Sequence, residues 1–177
     1  NSIMYMWCLL GFLVSIQNIR QNEKVVYKMG DSFVCQNAKF TITDTYMLKR
    51  MDIMNDDDLS EYLEENSDYL KSEDLNLGLI KIIISNTTDD EITVDLTAFH
   101  IESGAFSLQF YYPLVMYYND CGMYIKLSKG EQKTFIAPVP ISSEQFLNYD
   151  STDIRNRTYY LVSSLYPQKI MSEVKFN

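Results

Sequence analysis

The stretch from Leu77 to Ser85, LGLIKIIIS, constrains the fold more than any other part of the chain. Its three consecutive isoleucines are branched at Cβ and stiff at χ1, which suits an extended backbone covered on both faces. A strand side chain changes face at every residue, so Ile82 and Ile84 point one way and Ile83 the other. One of these two sets is expected to fill the centre of a sandwich. Neighbouring segments obey the same period of two. In Lys39–Leu48, Phe40, Ile42, Tyr46 and Leu48 are expected on one face and Thr41 and Thr43 on the other. In Ile92–Ile101, Ile92, Val94, Leu96 and Ala98 share a face. The polar turn Asn86-Thr87-Thr88-Asp89-Asp90 between two such runs predicts a hairpin.

Shorter extended runs cover Val25–Tyr27, Ser32–Cys35, Met123–Leu127, Gln132–Val139, Thr158–Leu165 and Ile170–Phe176. Turn residues separate them: Gly30 and Gly130 where a Cβ would hinder the backbone, Pro138-Val139-Pro140 as a stop, and Tyr166-Pro167 between the last two. The pattern breaks once, at Asp56–Lys71, DDDLSEYLEENSDYLK, where Leu59, Tyr62, Leu63 and Leu70 recur at helical spacing behind an acidic start. Eight to ten short strands and one inserted helix predict an antiparallel β-sandwich rather than a parallel α/β sheet. The bias of 14 Tyr and 9 Phe against 6 Gly and 4 Pro leans the same way, because aromatic residues favour pleated, half-buried surfaces.

The first residues differ in kind. Ile3 to Ile16, IMYMWCLLGFLVSI, carries no charge, and none appears before Arg20. Such a run is a membrane segment or a fully buried helix. It falls short of the roughly 17–25 residues of a full span; residue 1 is Asn, and a few residues before it would complete one. No small-residue cleavage site follows the apolar run, and Cys8 is preceded by the bulky Tyr5, Met6 and Trp7 rather than by the small residues of a lipoprotein signal. An uncleaved signal anchor fits best. The expected organisation is a membrane helix over residues 1–19, a linker over 20–24 and one domain over 25–177. Too few flanking charges are present to orient the segment.

A formal net charge of −9 argues against a nucleic-acid partner, which needs clustered Lys and Arg, and against a basic face for anionic lipid. The three cysteines, Cys8, Cys35 and Cys121, have no zinc or redox spacing. Cys35 and Cys121 could pair if strands bring them together; free, buried thiols are the commoner state.

Several short patterns add up to a resemblance. Met29-Gly30-Asp31-Ser32 leads into an early strand, Ile82–Thr87 (IIISNT) ends a central strand in Asn, and Phe99–Gly104 (FHIESG) follows. Leu127–Glu131 (LSKGE) precedes a strand that ends in Pro138-Val139-Pro140. Over Val25–Asn177 the chain resembles the immunoglobulin-like, telokin-like domains of unknown function on Gram-positive membrane-anchored proteins and lipoproteins. The resemblance implies an extracytoplasmic, immunoglobulin-like sandwich with no known catalytic residues and no cofactor. The acidic insert Asp56–Asp74 and the absence of a lipoprotein cysteine depart from the lipoprotein branch. Asn86-Thr87-Thr88 and Asn156-Arg157-Thr158 match the N-glycosylation pattern, which carries no meaning in the bacterial setting the resemblance implies.

Few residues invite chemistry. His100 is the single histidine and has no nucleophile motif to serve. Asp56-Asp57-Asp58 lacks the alternating ligands and central Gly of a calcium loop and reads as a helix cap. Glu61, Glu64 and Glu65 read as a solvated helix face rather than as paired glycosidase acids. The chain is therefore read as a non-enzyme. Its candidate working surface is the aromatic segment Phe106, Phe110, Tyr111, Tyr112, Tyr117 and Tyr118, expected as a long loop or edge hairpin because Pro113 interrupts any ladder. Alternation cannot hide all six rings on one face, so some are expected to meet a protein or a glycan at the cell envelope. The two roles considered are a membrane-anchored binding module and a structural accessory subunit of an envelope complex.

Overall fold

A computed structural model of the chain describes residues 24–66, 73–146, 154–166 and 168–176. The apolar run Ile3–Ile16 lies outside the described residues. Among the described residues, no helix is long and apolar enough to cross a membrane.

Strands β1 (Lys24–Tyr27), β2 (Ser32–Cys35) and β3 (Ala38–Lys49) lead into helices α1 (Arg50–Met54) and α2 (Asp57–Asn66). Strands β4 (Asn76–Asn86), β5 (Ile92–Asp95), β6 (His100–Ser103) and β7 (Phe106–Gln109) follow, then helix α3 (Tyr112–Tyr118). Strands β8 (Tyr124–Leu127), β9 (Gln132–Ile141), β10 (Tyr159–Ser164) and β11 (Lys169–Val174) complete the described chain.

The strands form one sheet in the order β1-β11-β10-β6-β7, a second in the order β2-β3-β4-β9, and a small β5-β8 pair. The main core draws on all three: Phe40, Ile80, Ile82, Ile84 and Phe135 from the second sheet, Ile101, Tyr159, Leu161 and Val174 from the first, and Val94, Ile125 and Leu127 from the pair. Ile82 and Ile84 face this core and Ile83 is half-buried on the other face, so alternation sets the strand as expected.

Four details depart from the sequence expectation. The run Leu77–Ser85 does not form a hairpin with Ile92–Ile101; β4 pairs with β3 and β9, and Ile92–Ile101 divides between β5, which joins β8, and β6, which joins β10. The parity of β3 switches at a bulge between Ile42 and Asp44. The extra residue turns Thr45 and Met47 inward and Tyr46 and Leu48 outward, the reverse of strict alternation. The sandwich is not wholly antiparallel, because β1 pairs in parallel with β11, and Lys24, expected in a linker, already sits in that ladder. The helix expected within Asp56–Lys71 is α2; a further helix, α1, precedes it, and the aromatic segment supplies a third.

β9 runs on through Pro138 and Pro140 to Ile141 rather than ending at Val139. It is an edge strand, where a residue without an N–H costs no ladder bond on the open side. Gly30 and Gly130 take the positive φ that their turns require.

Register gives the molecule two distinct ends. At one, Ala38 lies opposite Asn86 and Ser85 opposite Gln132. Cys35 donates through Sγ to Ser163 O at 3.5 Å, which places the β10–β11 turn there as well. At the other end Leu48, Leu77 and Pro140 lie side by side, and Phe176, just beyond β11, packs over Gly78.

Candidate functional site

The six aromatic residues singled out in the sequence do not share one surface. Phe106 and Phe110 are buried in the main core, where Phe106 packs on Phe146 at a centroid distance of 4.7 Å and Phe110 on Phe135 at 6.1 Å. The reason is topological: Phe106 begins β7, which takes it onto the inner face of the first sheet. Of the expected long loop or edge hairpin, Phe106–Gln109 is the edge strand of the β6–β7 hairpin, and Tyr112–Tyr118 is a helix. Pro113 sits in the first turn of α3, where its missing N–H has no intrahelical partner to lose.

α3, α1 and α2 together build a second apolar cluster on the outer face of the β3-β4-β9 sheet. Ile53, Leu59, Leu63 and Leu114 meet Leu75 and the outward-facing Leu77, with Leu48, Leu79, Tyr62, Tyr111, Tyr117 and Tyr118 packed around them. Leu77 and Leu79 have the parity opposite to Ile80 and Ile82, so one strand serves two cores. Asp56 starts α2 as its cap: its Oδ1 accepts the N–H of Leu59 at 3.1 Å and its C=O accepts that of Ser60 at 2.8 Å. Glu61, Glu64 and Glu65 lie on the exposed face of the same helix.

Tyrosine joins the two helical pieces. Tyr62 of α2 donates its hydroxyl to Pro113 O at 2.8 Å, and its ring lies 5.0 Å from that of Tyr117, which meets Tyr118 edge-on. Burial, followed by the nearby Tyr117 and Asp56, pushes the Tyr118 phenol well above its ordinary range. Burial and then Asp56 and Asp58 raise that of Tyr117. Both are therefore neutral donors at any physiological pH. Tyr111, Tyr117 and Tyr118 are half-buried, and of the six residues only Tyr112 is exposed, at 55%.

The helical layer nevertheless presents large apolar groups that the sequence reading passed over. Met116 stands one turn after Tyr112 on α3, and both approach Gly122. Met51 and Met54 project from α1, Met51 at 68% exposure. The signal was present in the sequence as Met51 and Met54 three residues apart and Met116 four residues after Tyr112, but it has meaning only once Arg50–Met54 and Tyr112–Tyr118 are known to be helical. Thioethers adapt their shape to a partner and recur on binding surfaces.

The remaining candidates have structural surroundings. His100 Nε2 lies 3.0 Å from Glu102 Oε1, and Lys169 Nζ donates to both Glu102 oxygens at 2.9 and 2.6 Å. Partial burial works to raise the Glu102 carboxyl, but the bonds from Lys169 and His100 outweigh it and hold the group below its ordinary value. Cys35 and Cys121 are free thiols, each raised chiefly by burial, which makes them poor nucleophiles. Asn86 is buried and donates to Asp90 O, Leu127 O and Ser128 O, so its match to a glycosylation pattern reflects a turn anchor. Among the described residues no group of three or more His, Cys, Asp or Glu side chains could hold a metal ion.

Two packed sheets around a shared core, with a helical layer on one outer face, define a β-sandwich domain. The chain belongs to the DUF5028 family, a domain of unknown function, whose family model matches residues 20–170. No curated protein sequence matches it. Among solved structures it is similar to the ycdA protein of Bacillus subtilis subsp. subtilis str. 168, a candidate lipoprotein, at a TM-score of 0.52 and 13% identity. That match covers 81% of this chain and 38% of the other, so the chain spans well under half the length of that relative. The yjhA protein of Bacillus subtilis matches at a TM-score of 0.45 and 13% identity, over 85% of this chain and 99% of the other. An uncharacterized β-sandwich protein from Clostridium difficile 630 matches at a TM-score of 0.45 and 12% identity, over 87% and 97%.

Proposed function

We propose that this chain is an extracytoplasmic binding module, held at a bacterial membrane by its N-terminal apolar segment, that meets a protein partner through its helical layer. The observation that carries the reading is the polarity of the fold. The chain enters the domain at Lys24, whose ladder partner is Lys169 at the end of the sandwich that holds the β10–β11 turn. Tyr112, Met116, Met51 and Met54 are exposed on the helical layer, which covers the sheet around Leu77 and Pro140 at the opposite end. A tether at one end and adaptable apolar groups at the other is the arrangement of a displayed module. The apolar run Ile3–Ile16 and the fold-level likeness to a candidate lipoprotein support the membrane setting. A methionine-rich, tyrosine-bearing surface suits the apolar side chains of a protein better than a carbohydrate.

The test is site-specific photo-crosslinking in intact cells. A photoreactive amino acid at position 112 or 116 is expected to give a discrete adduct with an envelope protein. The same probe at position 34, exposed on β2 beside the β2–β3 turn at the tethered end, is expected to give none. Equal labelling from all three positions, or none from 112 and 116, would remove the assignment.

A further inference from the structure

We propose that the tip of the β10–β11 hairpin, through Leu165 and Tyr166, rests in the lipid interface beside the N-terminal apolar segment. The inference depends on the membrane-anchored reading above and adds to it the face the domain turns towards the bilayer. Leu165 and Tyr166 are 58% and 73% exposed, and Tyr166 is the most exposed large apolar side chain among the described residues. Ser164 Oγ donates to Tyr166 O at 3.1 Å and ties the tip together. Such a tip has no packing reason to be apolar.

Its position supplies the occupant. β1 and β11 run parallel in register, Lys24 opposite Lys169, so the chain leaves the apolar segment and enters the sheet at the strand end next to the tip. From Ile16 to Lys24 the chain reaches at most roughly 30 Å at ~3.3–3.6 Å per residue. A bilayer holding Ile3–Ile16 is thus within reach of this end of the domain. Two apolar side chains are a weak anchor when free in solution, but the tether makes their contact with lipid intramolecular. Tyrosine suits the headgroup level, with its ring on the apolar side and its hydroxyl in water.

Charge at this end points to an apolar contact that does not select anionic headgroups. Lys169 is paired with Glu102, and Lys24 lies over the Tyr160 ring at 5.6 Å. Asp89, Asp90 and Glu91 follow Asn86 at the same end of the other sheet, and the chain as a whole carries −9. Lys129 pairs with Asp89 and Lys133 with Glu131 at this end, so its charges are mutually compensated and it carries no unopposed basic patch to draw anionic lipid.

The experiment uses the full chain reconstituted in phosphatidylcholine vesicles, with a fluorescent amino acid at position 166 and, separately, at 112. Vesicle flotation reports the anchor; quenching by brominated lipid reports the tip. The expected result is flotation of both proteins, with several-fold stronger quenching at 166 than at 112 and no loss at raised ionic strength. Leu165→Asp is expected to abolish the quenching at 166 while leaving flotation and Tm unchanged. Flotation with equal, weak quenching at both positions overturns the tip contact and leaves the anchor intact. Failure to float overturns the anchor and the tip contact together.

Discussion

The side-chain amide of Asn119 makes a reciprocal pair of hydrogen bonds with the main chain of Ile136: Oδ1 accepts the Ile136 N–H at 2.8 Å and Nδ2 donates to Ile136 O at 2.9 Å. Ile136 lies on β9, the edge of its sheet, so the amide acts as a one-residue extra strand. Pro138 and Pro140 follow at the same strand parity, where a β residue would otherwise direct its N–H to the open side. Asn119 and the two prolines together leave this edge with little to offer another strand. At the β2–β3 turn Gln36 does the same for Asp95, donating to its C=O and accepting from its N–H, both at 2.7 Å.

Asn119→Ala is expected to destabilise the domain by about 1–3 kcal/mol, because a backbone donor and acceptor on Ile136 lose their partner. Asn119→Asp keeps the acceptor but sets a carboxylate oxygen against Ile136 O and Val115 O, where Nδ2 donated, and should cost at least as much at neutral pH. Urea unfolding followed by circular dichroism measures both. An unchanged midpoint for Asn119→Ala would mean that water replaces the amide without loss.

A Cβ built on Gly78 would lie 2.6 Å from Phe176 Cζ. Gly78→Ala should therefore cost about 1–3 kcal/mol by overpacking. Phe176→Leu removes the obstructing ring edge, and the double variant should lose less than the sum of the two single losses. Strict additivity in a double-mutant cycle would show that the two residues do not interact.

Truncating Ile82 or Ile84 to Ala should cost about 2–5 kcal/mol, as each is fully buried in the main core. Ile83→Ala should cost markedly less, since its side chain is half-buried on the outer face. Equal losses at the three positions would contradict the register of β4.

The tyrosines should separate by role. Tyr112→Ser is expected to leave Tm nearly unchanged, whereas Tyr118→Ser, which opens the cluster under α3, should lower it by several degrees. Tyr62→Phe removes the hydroxyl donated to Pro113 O and should cost on the order of 1 kcal/mol. Thermal melts of the three variants read these differences directly.

Glu102 links stability to acid. Its carboxyl is held below its ordinary value of 4.5 in the folded protein, so the unfolded chain takes up its proton first as pH falls. The stabilisation from Glu102 is complete above that unfolded value and is lost as pH drops through the lower folded value. Glu102→Gln should reduce stability near neutral pH and flatten the acid limb of a Tm-against-pH curve as pH falls through and below the unfolded value of 4.5. An acid limb identical to that of the parent protein would show that Lys169 and His100 do not hold the charge.

Local chemistry determined much of the strand inventory. The isoleucines of β4 set its buried face, the acidic start of α2 set its cap, and Gly30 and Gly130 marked their turns, because each depends on neighbours within a few residues. Tertiary structure decided the rest. Which strand pairs with which is a contact between distant segments, so the β4–β9 pairing and the parallel entry of β1 beside β11 left no local mark. The bulge after Ile42 reversed the faces of Tyr46 and Met47 because the sheet needed Thr45 inward, where its hydroxyl bonds to Lys175 O. The aromatic run was legible as apolar but not as helical. Leu114 buries in the cluster on the outer face of β4 and Val115 in the main core, and that packing overrides the strand preference of the tyrosines around them.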